Sequence, residues 1–122
     1  MRRRKVALDQ TFAFDEPWIS DAGTVLQRAS GDGVDDVALV RSAGGEGFAA
    51  VVFLDEGCLL SPSIHQAARE EQIAVVATRD RDPWRAAELV QHYADDIGRL
   101  QPGALRRLLA SGLQNIEPRY RI

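Results

Sequence analysis

The sequence is poor in lysine, cysteine and histidine, and each scarcity narrows the chemistry that it can support. Its single lysine is Lys5, so any mechanism that needs a lysine late in the chain is excluded. Its single cysteine, Cys58, excludes an internal disulfide, and the apolar or small residues around it predict a buried thiol rather than a reactive one. The two histidines, His65 and His92, fall on predicted helices, and no nucleophile is paired with either. The sequence therefore gives no support for catalysis by histidine or cysteine.

Long hydrophobic runs are also lacking. No stretch approaches the ~20 apolar residues that cross a bilayer, and Asp9 interrupts the apolar residues behind the N-terminal arginines, so no signal peptide is expected. The length and the ordinary apolar fraction predict one cytoplasmic domain over 1–122, with residues 1–4 as a flexible basic terminus. The net charge of −3 gives no evidence for nucleic-acid binding, although arginines at both ends leave local basic patches open.

What the sequence does contain is a regular alternation of apolar segments. Continuous apolar runs predict strands, and apolar residues three or four positions apart predict helices. The predicted order, β-α-β-β-α-β-α-α, indicates an α/β domain with a mainly parallel sheet that is buried on both faces. The predicted strands cover 5–9, 34–42, 48–55 and 73–78, and the predicted helices cover 19–29, a segment that starts at Ser61 and Pro62, a segment from Pro83 to Leu100, and 104–113.

Aspartates follow three of the predicted strands. Asp9 ends the first strand, Asp55 ends "VVFLD", and Asp80 follows "VVAT" with Asp82 close behind. Because parallel strands end at one edge of a sheet, these carboxylates are expected to emerge together. Clustered carboxylates repel one another, and a hard divalent cation, Mg²⁺ or Mn²⁺, is their usual partner. Such an ion can activate water and stabilise charge on a phosphodiester.

The same segment has purely structural interpretations. Asp82 directly precedes Pro83 and is a good helix N-cap, a role that does not exclude a second one. Asp80 has no capping role in this prediction and is expected to face Asp9. The arginines on either side of Asp80 are expected to neutralise their acidic neighbours, and Trp84 is expected to be a packing anchor.

Two motifs together carry a family resemblance. The chain opens with "VALDQTF" and carries "VVATRDRDPW" before its third predicted helix. It resembles the PIN-like ribonucleases, the fold of VapC-type toxins, which open with a strand ending in "LD" and carry a late strand ending in "T-x-D-x-D". The intervening helix "SIHQAAREEQ" is similar to the compact PIN-like type, in which an "ILxxAxxxG" helix leads into the late strand.

The resemblance implies a three-layer, Rossmann-like α/β/α domain and a Mg²⁺- or Mn²⁺-dependent endoribonuclease. By this resemblance Asp9, Asp80 and Asp82 would hold the metal, the metal would activate the attacking water, and Thr78 would orient the cluster through its hydroxyl. The partners implied are an RNA substrate, an antitoxin protein and a second copy of the chain in a homodimer; no membrane is involved.

The sequence departs from the family in the middle of the chain. The family has a further acid at the start of the helix before the late strand, where this sequence has Ser61 and Ser63. Asp55 and Glu56, at the end of the preceding strand, are the candidates to replace it as catalytic and metal-binding residues. If neither reaches the site, the protein is a binding descendant of a nuclease.

Three other interpretations remain open. A receiver domain would use Asp55 as phosphoacceptor with Thr78 nearby, but it needs a second acid where Gln10 follows Asp9, and a late lysine. A Toprim domain shares the D-x-D motif but has a glutamate at the place of Asp9. A non-enzymatic α/β protein would bind partners and use its acids only for capping and solubility.

Overall fold

In the computed structural model of this chain, a seven-stranded sheet carries helices on both faces. The structure describes residues 4–14, 16–29 and 35–116. Most of the predicted flexible terminus, residues 1–3, lies outside the described residues, as does the first residue of the strand predicted over 34–42.

Seven strands and four helices lie within the described ranges, together with one short 3-10 helix. None of these helices is long and apolar enough to cross a membrane. The strands are β1 (Lys5–Leu8), β2 (Trp18–Ile19), β3 (Val25–Arg28), β4 (Ala50–Phe53), β5 (Ala74–Thr78), β6 (Leu105–Leu109) and β7 (Gly112–Asn115). The helices are α1 (Asp36–Gly45), α2 (Pro62–Glu71), α3 (Pro83–His92) and α4 (Ala94–Gly98), and the 3-10 helix is Glu56–Leu60.

The strand order is β2-β3-β1-β4-β5-β6-β7. The five central strands are parallel, while β2 and β7 pair antiparallel at the two margins. Among the parallel strands alone, the order is second, first, third, fourth, fifth, which is the doubly wound order of flavodoxin-like sheets. The prediction of an α/β domain with a mainly parallel sheet is confirmed, and the chain changes direction across the sheet between β1 and β4.

Both faces of the sheet are buried. In β5, Val75 and Ala77 pack into a core with α1 and α2, whereas Ala74 and Val76 pack into a second core with α3 and α4. All four side chains are fully buried. A strand that is covered on both faces has no polar face, which is why β4 and β5 are recognisable as continuous apolar runs.

The predicted starts of the second and third helices are confirmed. Ser61 caps α2 by accepting a hydrogen bond from the N–H of Ile64 at 3.3 Å, and Asp82 caps α3 just before Pro83. The single long helix predicted after Pro83 is interrupted at Tyr93, whose φ of −105° and ψ of 15° separate α3 from α4.

The helix predicted over 19–29 is wrong, because this segment forms the antiparallel pair β2–β3. Gly23 has a φ of +93°, and its N–H donates to the carbonyl oxygen of Ser20 at 2.9 Å in the connecting turn. The N–H of Ser20 in turn donates to the carbonyl oxygen of Thr24 at 2.9 Å. The left-handed conformation of Gly23 favours this turn, and the edge of β1 is available to pair with β3. Together these two features outweigh the weak helical spacing of the apolar residues.

The strand predicted over 34–42 is also wrong, because α1 occupies most of it. Asp35 is the N-cap and accepts a hydrogen bond from the N–H of Ala38 at 2.8 Å. Leu39 and Val40, which made the segment look like a strand, are buried on the inner face of α1.

The helix predicted over 104–113 is replaced by the hairpin β6–β7. Gly103 and Gly112 have φ values of +81° and +128°, which interrupt a helix at both ends of the segment. Leu105 and Leu108 are three residues apart, as on a helix, but they pack into the two different cores on opposite faces of the sheet. Pairing of β6 with β5 outweighs the local helical pattern.

Candidate active site

Asp9 lies at the carboxyl end of β1, directly beside the point where the sheet changes direction. Its N–H donates to the carbonyl oxygen of Val52 at 3.0 Å, which fixes its main chain against β4. Its carboxylate accepts the N–H of Thr11 at 3.3 Å, and the side chain is half-buried. Ligands of open α/β sheets bind in this crevice beyond the strand ends, so Asp9 has the position of a functional residue.

Asp55 follows the neighbouring strand β4 at the same edge. Its Oδ1 accepts the N–H of Gly57 at 2.9 Å, which makes Asp55 the N-cap of the 3-10 helix. The residue is otherwise exposed to solvent. A capping carboxylate that remains exposed can still take part in the chemistry of the edge.

Asp36 is the functional candidate that the sequence prediction missed. Burial raises the pKa of its carboxyl above the ordinary value, and the negative charges of Asp9, Asp35 and Asp55 raise it further. The first residue of α1 therefore shares one electrostatic environment with the acids that follow β1 and β4. We call Asp9, Asp36 and Asp55 the acidic edge. The signal that could have revealed Asp36 is the Asp-Asp pair ahead of an apolar run, which is typical of a helix start.

Cys58 responds to the same charges. Burial raises its pKa to about 12, with further contributions from the carboxylates of Asp36 and Asp55. The thiol is 3% exposed and is protonated at neutral pH. The prediction of a buried thiol is confirmed, and Cys58 is unsuited to act as a nucleophile.

Asp80 is engaged in a different set of contacts. Its Oδ1 accepts the N–H of Asp82 at 2.9 Å, and Arg85 forms an ion pair with it, Nε to Oδ2 at 3.0 Å and Nη2 to Oδ1 at 3.3 Å. These contacts lower its pKa, the hydrogen bond from Asp82 first and Arg85 after it. As predicted, Asp80 is not the cap of α3, but its carboxylate organises the turn that leads into this helix.

Asp82 confirms the predicted helix cap. Its Oδ1 accepts the N–H groups of Trp84 at 2.9 Å and Arg85 at 3.1 Å, which satisfies two donors at the start of α3. The side chain is half-buried. This carboxylate is therefore held at the sheet edge by the helix that it caps.

Thr78 connects the ends of two strands. It is fully buried, and its Oγ1 lies 3.2 Å from the carbonyl oxygen of Leu54 and 3.1 Å from that of Asp80. A hydroxyl has one proton, so it serves one of these acceptors at a time. Thr78 holds the main chain that carries Asp80, and its hydroxyl contacts main-chain oxygens rather than carboxylates.

Glu56 and Ser61 occupy the places where the sequence lacks the expected acid. Glu56 accepts a hydrogen bond from Nε of Arg107 at 2.5 Å, which ties the 3-10 helix to β6. Ser61 is the N-cap of α2. Of the two acids considered as replacements, Asp55 acts electrostatically on Asp36, whereas Glu56 is neutralised by its arginine.

Exposed arginines and apolar side chains border the edge. Arg79 and Arg81 are exposed in the turn after β5. Trp84 is 71% exposed at the start of α3, and Leu60 is 79% exposed at the end of the 3-10 helix. The expectation that Trp84 is a packing anchor is therefore wrong, and its ring is available to a partner.

The donor types of the acidic edge suit a hard divalent cation, because all three side chains offer carboxylate oxygens. In the conformation of residues 4–14, 16–29 and 35–116, no three Asp, Glu, His or Cys side chains are arranged to hold one metal ion together. Burial is the largest cause of the raised pKa of Asp36, and the repulsion from neighbouring carboxylates that adds to it is the interaction that a cation would relieve.

The sequence matches no protein-family model, no curated protein and no solved structure. The chemistry open to this chain is therefore inferred from the side chains at the sheet edge.

Proposed function

We propose that this protein is a divalent-metal-dependent endoribonuclease of the PIN-like type that acts at the acidic edge. The observation that carries the proposal is that Asp9 and Asp55, which follow two neighbouring strands where the sheet changes direction, both add to the effect of burial in raising the pKa of Asp36 on α1. Repelling carboxylates at the binding crevice of an α/β sheet favour a bound cation over a purely structural role.

Asp9, Asp36 and Asp55 would hold the Mg²⁺ or Mn²⁺ ion. Such an ion supplies activation of water and stabilisation of the charge that develops on a phosphodiester. Asp80 and Asp82, which the family resemblance assigns as ligands, lie beside the edge but already accept hydrogen bonds from the α3 turn. In this proposal they shape the turn and hold Arg85, and Asp36 takes the place of the missing mid-chain acid.

The turn into α3 supports RNA as the substrate. Arg79 and Arg81 place two exposed positive charges next to the carboxylates, and Arg85 is oriented by its ion pair with Asp80. Guanidinium groups bind phosphate oxygens, and they would draw a polyanion to an otherwise acidic surface. The exposed ring of Trp84 offers a stacking surface for a base of single-stranded RNA.

The decisive experiment is Mn²⁺-dependent cleavage of a fluorescent RNA by the full chain and by single Asp→Asn variants. Asp9→Asn, Asp36→Asn and Asp55→Asn are expected to abolish cleavage, because each removes a carboxylate from the metal site. Asp96→Asn, at an exposed position on α4, is the matched control and is expected to retain full activity. Undiminished cleavage by the Asp9 and Asp55 variants would refute the proposal.

The role of Asp80 can be separated from that of Asp36 in the same assay. If Asp80 positions Arg85, then Asp80→Asn and Arg85→Gln are expected to reduce cleavage to a similar, partial extent. If Asp80 is a metal ligand, as the family resemblance implies, Asp80→Asn abolishes cleavage while Arg85→Gln does not.

The resemblance to VapC-type toxins extends the proposal to a toxin–antitoxin pair, with an antitoxin protein as partner and a homodimer as the active form. Expression of the intact chain is then expected to arrest growth, and Asp9→Asn is expected to remove the arrest. Relief of the arrest by a neighbouring open reading frame identifies the antitoxin. Growth that is unaffected by active enzyme would indicate a housekeeping nuclease instead.

A binding module without catalysis is the second candidate, and one observation favours it. All five candidate acids already have a partner within the fold, because Asp9, Asp55, Asp80 and Asp82 accept backbone N–H groups and Glu56 accepts a hydrogen bond from Arg107. In that case the exposed Trp84 and Leu60 would contact a protein partner. Absence of any Mn²⁺ effect on cleavage and on thermal stability would favour this candidate.

The receiver alternative has the right strand order but lacks two of its parts. The sequence has no lysine after Lys5. The hydroxyl of Thr78, which would contact a phosphoryl group on Asp55, is fully buried against main-chain oxygens. Transfer of phosphate from acetyl phosphate to Asp55 would revive this alternative.

A further inference from the structure

A second concave site lies away from the acidic edge, between α2 and the β6–β7 hairpin. The cleft has a volume of about 200 Å³. His65 and Arg69 contribute from α2, Arg106 from β6 and Asn115 from β7, and the main chain around Gly103 closes one side. None of the described residues that line it is acidic. The cleft thus combines two guanidinium groups with no carboxylate to neutralise them from within.

Arg106 is held in place before any ligand arrives. Its Nη1 donates to the carbonyl oxygen of Leu105 at 2.9 Å and to Oδ1 of Asn115 at 2.7 Å. These bonds involve one of the three guanidinium nitrogens, and the residue is half-buried. A guanidinium that is fixed in this way loses little conformational entropy when it binds an anion.

Arg69 approaches the cleft over a glycine. A Cβ atom at Gly103 would lie 3.5 Å from Cγ of Arg69, so the aliphatic part of the arginine rests against this position. The charge of Arg69 is one of the causes that lower the pKa of His65, which places the guanidinium close to the imidazole. The adjacent acid on the helix, Glu70, accepts hydrogen bonds from Gln66 at 2.9 Å and Arg41 at 3.0 Å, and the charge of Arg69 adds to their lowering of its pKa.

His65 lines the cleft with a buried, uncharged side chain. It is 3% exposed, and hydrogen bonds with the carbonyl groups of Cys58 and Leu59 anchor it to the 3-10 helix. Burial is the largest cause of its lowered pKa, so the imidazole is uncharged at neutral pH. The two arginines therefore supply the positive charge of the cleft.

We propose that this cleft binds a phosphate monoester as its dianion. The two guanidinium groups that line the cleft match the charge of a terminal phosphate and can donate hydrogen bonds to its oxygens. The cleft is smaller than the pockets of about 300–1,000 Å³ that enclose drug-sized ligands, so it accommodates one phosphate group and a few atoms of its carrier. The carrier is either a small phosphorylated metabolite or the phosphorylated end of an oligonucleotide. The site is independent of the proposed ribonuclease activity, because it shares no residue with the acidic edge.

The test is titration calorimetry of the full chain with inorganic phosphate and with glycerol 3-phosphate. Arg106→Gln and Arg69→Gln are each expected to weaken binding by about tenfold or more, because each removes a charge-assisted hydrogen bond. Arg99→Gln removes the same charge from an exposed position that does not line the cleft, and it is expected to bind as the original chain does.

Three results would overturn the proposal: no binding at millimolar phosphate, equal binding by both cleft variants, or equal weakening by Arg99→Gln. Near-ultraviolet circular dichroism checks the fold of each variant. If Arg106→Gln unfolds, Arg69→Gln decides the matter, because Arg69 is exposed and its loss leaves the hairpin contacts intact.

The two carriers are distinguished with a trinucleotide that has either a 5′-phosphate or a 5′-hydroxyl. If the 5′-phosphorylated form binds more tightly than glycerol 3-phosphate, and Arg106→Gln weakens it, the ligand is a nucleic-acid end. If glycerol 3-phosphate binds more tightly, the ligand is a small phosphorylated molecule. If the two trinucleotides bind equally and glycerol 3-phosphate does not bind, neither carrier is the ligand and the proposed phosphate site is contradicted.

Discussion

A carboxylate that already has an arginine and a backbone N–H as partners gains less from a metal ion than one that faces other carboxylates. Asp80 is in the first situation and Asp36 in the second. The difference is visible in opposite pKa directions, lowered for Asp80 and raised for Asp36. At the residue scale, this contrast is the reason for assigning Asp36 to the acidic edge.

The lowered pKa of Asp80 leads to a prediction about acid. Because the pKa in the folded state is below the ordinary value of 3.8, Asp80 stabilises the fold above that value, and the contribution is lost as the pH falls through the lower, folded value. Arg85→Gln is expected to raise the pKa of Asp80 only part of the way, since the hydrogen bond from Asp82 remains. Carboxyl NMR titration of both proteins measures the change. An unchanged Asp80 pKa in the variant would contradict the ion pair.

The raised pKa of Asp36 leads to the opposite prediction. When a carboxyl binds its proton more tightly in the folded state, the folded protein loses stability as the pH rises through the folded pKa of that carboxyl. Asp36→Asn is therefore expected to raise the melting temperature at pH 7 and to have little effect below pH 3, although the helix dipole favours an acid at this position. Thermal unfolding at the two pH values tests this, and a lower melting temperature at pH 7 would contradict it.

At the scale of elements, the segments with unambiguous local signals were predicted correctly. β1, β4 and β5 are continuous apolar runs because both of their faces are covered. The starts of α2 and α3 follow from Ser61-Pro62 and Asp82-Pro83, where cap and proline agree. The positions of Asp9 and Asp55 at one sheet edge could therefore be predicted from the sequence.

The elements that were predicted wrongly have patterns that suit two structures. Leucines three residues apart in 104–113 fit one face of a helix, but also the two faces of a strand that joins two cores. In 19–29 and 104–113 the deciding feature is a glycine with positive φ, whose conformation the apolar spacing does not reveal. The error over 34–42 hid the start of α1, so Asp36 could not be placed at the sheet edge. The ion pair of Asp80 was not predicted because its arginine partner is five residues away, inside the next helix.

The close packing of α1 against α2 leads to a prediction for Gly44, for which the neighbouring Gly45 is the control. A Cβ at Gly44 would lie 2.6 Å from Cβ of Glu71, whereas a Cβ at Gly45 meets nothing within 4 Å. Gly44→Ala is expected to lower the free energy of unfolding by about 1–3 kcal/mol, because the helices must move apart. Gly45→Ala is expected to raise it by up to about 1 kcal/mol, because alanine is the better helix former. Denaturant unfolding of the two variants measures both, and equal effects would contradict close packing at Gly44.

At the scale of the whole molecule, the acidic edge joins parts of the chain that are far apart in sequence. A cation that binds there links β1, α1 and β4, and it binds the folded state only. Mn²⁺ is therefore expected to raise the melting temperature, since a ligand at about 100 times its Kd adds about 2.7 kcal/mol to the free energy of unfolding. Asp9→Asn and Asp36→Asn are expected to abolish this increase, whereas Asp96→Asn is expected to retain it. An increase that persists in the Asp9 variant would locate the bound metal elsewhere.

The central position of β1 has a consequence for how the protein is made. β1 precedes the other described strands in the chain, yet it pairs with β3 on one side and with β4 on the other, where Val6 meets Ala50. Until β4 has been synthesised, one edge of this apolar strand is without its partner, and β4 in turn needs β5. Parallel pairings between distant segments form slowly. The nascent chain therefore exposes Val6, Ala7 and Leu8, which are buried in the folded protein, until these partners have been made, and a chaperone that binds apolar segments is expected to protect β1 during that interval.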